Sequence, residues 1–120
     1  MIDEALKLFR EIPHYNVVSW TVMIVGCVQN GLSLEAMEMF RKMHLRGLER
    51  DAKTFASVLP ACVNLGAMQQ GIEIHGEVIR SGLESNVFAG TTLVDMYGKC
   101  ERLDIARKVF ERIPQRNVAS

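Results

Sequence analysis

The chain has 120 residues, 48% hydrophobic and 23% charged, the balance of an ordered chain rather than a disordered one. Its 14 Lys and Arg equal its 14 Asp and Glu, so no global field draws it to nucleic acid or to a membrane surface, and any such binding must come from a local patch. No apolar run reaches the ~18 residues of a membrane span, and Cys27, Cys62 and Cys100 are too dispersed for a disulfide or zinc framework, which suits small buried thiols in a reducing compartment.

The first segment, MIDEALKLFREIP, is amphipathic, with Ala5, Phe9 and Ile12 on one helical face and Pro13 at its end. Its Asp3, Glu4 and Glu11 suit neither a signal nor a transit peptide. VVSWTVMIVGCVQ follows, a mostly apolar helix broken at Asn30-Gly31. In SLEAMEMFRKMHLRG, Ser33 is expected to be the N-cap and Gly47 the stop, and Ala36, Phe40, Met43 and Gly47 share one face. Pro60 lies inside the apolar stretch VLPACVN and should kink that helix or mark a later start. ARKVFERIP closes the series, with Ala106, Phe110 and Ile113 at the spacing of Ala5, Phe9 and Ile12 and Pro114 as the stop. Small Ala beside large Phe suits close packing of one helix pair on the next.

Self-similarity organises these elements. A shift of 35 residues lays Cys27 on Cys62, Val28 on Val63, Gly31 on Gly66, Glu38 on Glu73 and Gly47-Leu48-Glu49 on Gly82-Leu83-Glu84. A shift of 101 lays Asp3, Ala5, Lys7, Phe9, Ile12, Pro13 and Asn16 on Asp104, Ala106, Lys108, Phe110, Ile113, Pro114 and Asn117. The register is therefore 17–51, 52–86 and 87–117, units of 35, 35 and 31 residues; 1–16 is the second helix of an earlier short unit, and 118–120 start the next. Each unit reads as two antiparallel helices. One pair cannot bury its apolar face alone, so the expected fold is all-α, a stack of helix pairs. With no polar capping unit at either end, the stretch is expected to be a fragment of a longer solenoid.

At this point the motifs resemble a known family. NVVSWTVMIVGCVQNGLSLEAMEMFRKMHLRGLERD resembles a 35-residue standard (P) pentatricopeptide repeat. AKTFASVLPACVNLGAMQQGIEIHGEVIRSGLESN resembles the long (L) type, and VFAGTTLVDMYGKCERLDIARKVFERIPQRN the 31-residue short (S) type. The order resembles the PLS class of land-plant pentatricopeptide proteins. Glu101 stands where the short type usually has Gly, a departure expected to strain the inter-helix turn. The related tetratricopeptide repeat fits less well, because its W-x-x-L-G-x-x-Y helix is absent around Trp20.

The resemblance implies a right-handed α-solenoid that binds single-stranded RNA, one base per repeat. By resemblance, the fifth and last residues of a unit read the base and the second packs against it. That assigns Thr21 and Asp51 with Val18, Ala56 and Asn86 with Lys53, and Thr91 and Asn117 with Phe88. In the family, Thr with Asp favours guanine and Thr with Asn favours adenine, implying a core 5′-GNA-3′ in which the Ala56 unit is poorly selective. The chemistry agrees: a carboxylate only accepts, which suits guanine N1–H and N2–H, whereas an amide both donates and accepts, which suits adenine. The resemblance further implies organelle transcript processing in mitochondrion or chloroplast, most specifically the recognition of C-to-U editing sites, with editing cofactor proteins as possible further partners and the chemistry done elsewhere.

Plainer readings of the same residues stand beside these. Asp51, Asn86 and Asn117 each precede a helix and could be N-caps. Thr21 and Thr91 could be ordinary helix-surface residues, and Val18 and Phe88 core or staple residues. Lys53 suits phosphate, while Arg41, Lys42, Arg46 and Arg50 suit a solvated helix face or phosphate contact. His75-Gly76-Glu77 matches the first half of a zinc deaminase signature, but no P-C-x-x-C follows, so His75 reads as a core or interface residue. No catalytic constellation, metal site or cofactor motif is expected. The competing class is a helical-repeat protein-interaction scaffold that grips a peptide or an editing cofactor protein.

Overall fold

A computed structural model describes Lys7 and residues 16–114. Among these are six helices and no strands: α1 (Val17–Gln29), α2 (Ser33–Leu45), α3 (Ala52–Asn64), α4 (Met68–Arg80), α5 (Val87–Lys99) and α6 (Leu103–Arg112). The expected first helix within 1–16, apart from Lys7 and Asn16, lies outside the described residues, as do Asn117 and 118–120.

The helices begin and end for repeated reasons. Asn16, Asp51 and Asn86 cap α1, α3 and α5, each accepting from the backbone N–H three residues on, Ser19 at 2.9 Å, Thr54 at 2.9 Å and Ala89 at 3.1 Å. The odd-numbered helices end in a left-handed residue at Gly31, Gly66 and Glu101, with φ of 77°, 65° and 60°. The next N–H turns back in each case: Leu32 to the Cys27 carbonyl, Ala67 to Cys62 and Arg102 to Tyr97, all at 2.8 Å. This closure delivers the chain straight into α2, α4 and α6, none of which has a side-chain cap. Gly47, at φ 72°, stops α2 as expected.

One local expectation needs correcting, and another is narrowed. Ser33 is not an N-cap: it is the first residue of α2, buried, and its hydroxyl accepts from Asn64 Nδ2 at 3.2 Å. The turn closure already fixes the helix start, so the hydroxyl is used to tie α2 to the end of α3. Pro60 does not delay α3, since the helix runs from Ala52 to Asn64 with Pro60 inside it. The lost N–H bond and the crowding of the Ala56 carbonyl cost stability. Val58, Leu59, Ala61 and Cys62, all buried around it, hold the helix through that point.

The odd-numbered helices form one layer: α1 packs on α3 and α3 on α5, while each also packs on its own partner. The backbones of the even-numbered helices stay farther from each other; α2 reaches α3, and α4 reaches α5. Close spacing in one layer and wide spacing in the other curves the stack, with α1, α3 and α5 on the inner side. The stack measures 46 × 27 × 27 Å. Ala36, Phe40 and Met43 are buried as their spacing predicts, and Phe40 meets Phe55 of the next pair edge-to-face, 6.0 Å between centroids. Ala106 in α6 and Ile113 just after it are buried while Phe110 is 51% exposed, because no further pair among the described residues covers it.

Glu101 holds the left-handed conformation that glycine holds at the two equivalent turns. Glu101→Gly is expected to raise stability by about 1 kcal/mol, read as a higher urea midpoint at unchanged slope.

Candidate functional site

On the inner layer, the N-terminal halves of α1 and α3 border a cleft of about 320 Å³, lined by Val18, Thr21, Val22, Val25, Asp51, Lys53 and Ser57. Four of the residues expected to contact a base, Val18, Thr21, Asp51 and Lys53, are brought together here. Their places follow from helix geometry. Val18, Val22 and Val25 fall at i, i+4 and i+7 on α1, giving one wall an apolar stripe, and Val18 is 67% exposed. Lys53 and Ser57 are i, i+4 on α3, giving the facing wall a cation and a hydroxyl; the Ser57 hydroxyl bonds back to the Lys53 carbonyl at 2.6 Å. Asp51 stands at the α3 N-terminus, where the helix dipole favours its charge.

Asp51 both caps the helix and anchors a chain of hydroxyls. Its Oδ1 accepts from the Thr54 N–H at 2.9 Å and from the Thr54 hydroxyl at 2.8 Å, and the Thr54 hydroxyl is 2.8 Å from that of Thr21. Thr21 is therefore no free surface residue: it is 8% exposed, tied to α3 and open to the cleft. Sequence reasoning missed Thr54. The signal lay in the register, where Ser19, Thr54 and Ala89 are equivalent and Ser19 bonds to Asn16 as Thr54 does to Asp51. An apolar wall, acceptor oxygens at one end and a single cation opposite suit a flat ring with N–H donors on its edge and an anionic group attached.

The next junction is different. Asn86 caps α5 through Ala89 N–H, Ala56 is half-buried, and neither belongs to the cleft between α1 and α3. Phe88 is 62% exposed near the start of α5, and Thr91 is exposed one turn on. Asn117, the expected partner of Thr91, lies outside the described residues.

The basic stretch divides. Arg41 and Lys42 are exposed, as a solvated face requires, and Arg46 lies over the Trp20 ring at 5.2 Å. Arg50 corrects the expectation. It stacks on Phe40 at 4.1 Å, donates to the Phe40 carbonyl at 3.3 Å and pairs with Glu77, so it spans the gap between α2 and α4. A cation held in this way supports the stack rather than a phosphate. Burial pushes the Cys62 thiol up to about 11, which makes it unreactive packing.

Comparison with known proteins follows the same repeats. A PPR repeat family model matches residues 15–64, and a PPR repeat model matches 91–118. A pentatricopeptide repeat-containing protein of Arabidopsis thaliana is 42% identical over 118 residues, 98% of this chain and 14% of its own length. Another from the same plant, named chloroplastic, is 42% identical over 119 residues, 99% of this chain and 15% of its own. A third, named mitochondrial, is 37% identical over 120 residues, all of this chain and 22% of its own. The chain thus spans less than a quarter of the length of these relatives.

Among the described residues no cluster of His, Cys, Asp and Glu could hold a metal ion, and no helix is long and apolar enough to cross a membrane. His75, half-buried on α4, shares a 2.7 Å hydrogen bond between Nδ1 and the Tyr97 hydroxyl and packs edge-to-face on that ring. Burial lowers its pKa from the usual 6.5, and Arg112 adds to this while Glu84 opposes it. The folded state therefore takes up a proton less readily than the unfolded chain. This contribution to stability is present above about pH 6.5 and is lost as pH falls through the lower folded value. His75→Gln, which can keep a hydrogen bond to Tyr97, should flatten the stability profile between about pH 7 and 5 relative to wild type, as read by urea melts at each pH.

Proposed function

Because the chain belongs to the pentatricopeptide repeat family, we propose that it binds single-stranded RNA along its inner layer, reading one base per unit in organelle RNA processing. Plant members of this family are in general RNA-binding factors of organelle RNA processing. The proposed class is PLS, argued from units of 35, 35 and 31 residues, and the proposed role is to select C-to-U editing sites. Mitochondrion or chloroplast is the proposed location, as in the names of two of the relatives.

The observation that carries the reading is the convergence of Val18, Thr21, Asp51 and Lys53 on one cleft. A base sits against Val18, its Watson–Crick edge towards Thr21 and Asp51, and Lys53 stands on the facing wall, within the reach of its long chain to a phosphate. Guanine presents N1–H and N2–H to the carboxylate; adenine would set its N1 acceptor against an acceptor. Ala56 offers no hydrogen bond from its side chain, so the middle unit is weakly selective. Thr91 with Asn117, beside Phe88, favours adenine. The proposed core is 5′-GNA-3′. Phe88 offers the better stacking surface, since aromatic stacking contributes about 1–3 kcal/mol per base.

Binding of RNAs containing GNA against scrambled controls tests this. Equal affinity for all, with no salt dependence, would instead mark the inner layer as a protein-docking surface. Asp51→Asn is the sharper variant, because Asn caps as well as Asp and already does so at positions 16 and 86. Stability should hold, while the preference at that base moves from guanine towards adenine by about tenfold or more. An unchanged preference with lowered stability would reduce Asp51 to a cap.

A further inference from the structure

The hydroxyl chain from Thr21 to Asp51 has a fixed direction. Thr54 is fully buried and carries one hydroxyl hydrogen, with its Oγ1 2.8 Å from Asp51 Oδ1 and 2.8 Å from Thr21 Oγ1. A carboxylate accepts and does not donate, so that hydrogen goes to Asp51. The short contact with Thr21 then requires the Thr21 hydrogen, which Thr54 accepts. Thr21 has no second hydrogen. Towards the cleft it presents lone pairs only.

We infer that Thr54 is a specificity-determining positioning residue: by taking the Thr21 hydrogen, it turns Thr21 and Asp51 into a two-acceptor pair that selects guanine. The inference rests on the base reading proposed above and adds a residue from the next unit to it. Both of these bonds to Asp51 use Oδ1; Oδ2 takes part in neither. Two acceptors match the adjacent N1–H and N2–H of guanine. Adenine offers an acceptor at N1 beside its N6 donor, and uracil offers a single donor between two carbonyls. Without Thr54 the Thr21 hydroxyl is free to rotate and donate, and adenine N1 becomes an acceptable partner.

The next junction supports the coupling. Thr21 and Thr54 are 33 residues apart, and the residues at the same two register positions one unit on are Ala56 and Ala89. The hydroxyl pair is replaced as a pair. Where the reader cannot hydrogen-bond, the residue that would orient it also lacks a hydroxyl.

The test is the ratio of affinities for two single-stranded RNAs, 5′-GUA-3′ and 5′-AUA-3′ in oligouridine flanks, measured on the full chain by fluorescence anisotropy. Thr54→Val keeps the shape and removes the hydroxyl, and should cut the guanine preference by roughly five- to tenfold, the weight of one hydrogen bond. Thr54→Ser keeps the hydroxyl and should keep the preference. Should the valine variant fail to fold, Thr54→Ala replaces it, since alanine already occupies the equivalent position at Ala89. A loss of affinity equal for both RNAs, with the ratio unchanged, overturns the role of Thr54 and leaves the base reading intact. A wild type that does not distinguish the two RNAs overturns the base reading itself.

Discussion

Every feature of this chain depends on the direct packing of α1 on α3 and of α3 on α5. A single helix pair has too much apolar surface and too few partners to stand alone, so each pair must be completed by its neighbour. Because the odd-numbered helices abut while the even-numbered ones stay apart, the same packing that buries Ile24, Phe55 and Leu59 also curves the stack. The curvature turns the N-terminal halves of α1, α3 and α5 towards a common inner side. Polar and apolar residues that packing does not consume, Val18, Val22, Lys53, Ser57 and Phe88, are left on that layer. The widened outer side needs its own support, which Arg50 supplies between Phe40 and Glu77.

The strict register has a second consequence. A helix that opens on Asn or Asp in each unit places a side-chain oxygen at the same point of every junction. The cap is needed for the helix to begin, and its geometry is rigid because two donors hold it at Asp51. A carboxylate so held does not have to be ordered when a ligand arrives, so its hydrogen bond to that ligand is not weakened by lost side-chain freedom. Capping and recognition are therefore not rival readings of Asp51. The first makes the second cheap in entropy.

What was legible in the sequence follows from what repeats. The 35-residue register, the glycine stops and the buried Ala36–Phe40–Met43 face depend on spacing, which a sequence displays directly. Glu101 was legible for the same reason, as the one turn residue out of pattern. Ser33 and Arg50 were misread because their roles depend on a partner distant in sequence. Ser33 is committed by Asn64, 31 residues away, and Pro60 is tolerated because its neighbours are buried on several sides. Arg50 leaves its basic run for Glu77, a choice that no local charge pattern reveals. Asp51 and Val18 could be located in advance, but Thr21 as a bonded residue could not, since its partner belongs to the next unit.

That last point bears on how a repeat can carry information at all. If each unit read its base with its own residues alone, units could be exchanged without consequence. The hydrogen bond between Thr21 and Thr54 crosses the boundary between units, and the cleft takes one wall from α1 and the other from α3. On the proposed base reading, the recognition element is therefore the junction rather than the repeat. A helix pair moved to a new neighbour keeps its own side chains but loses the hydroxyl they bond to and the wall that faces them. The junction between Ala56 and Ala89 illustrates the other limit, where nothing polar crosses at those positions and none of the direction of a hydrogen bond is preserved. On the same reading, specificity in such a stack is set pairwise, by the neighbour contacts that make the fold stable.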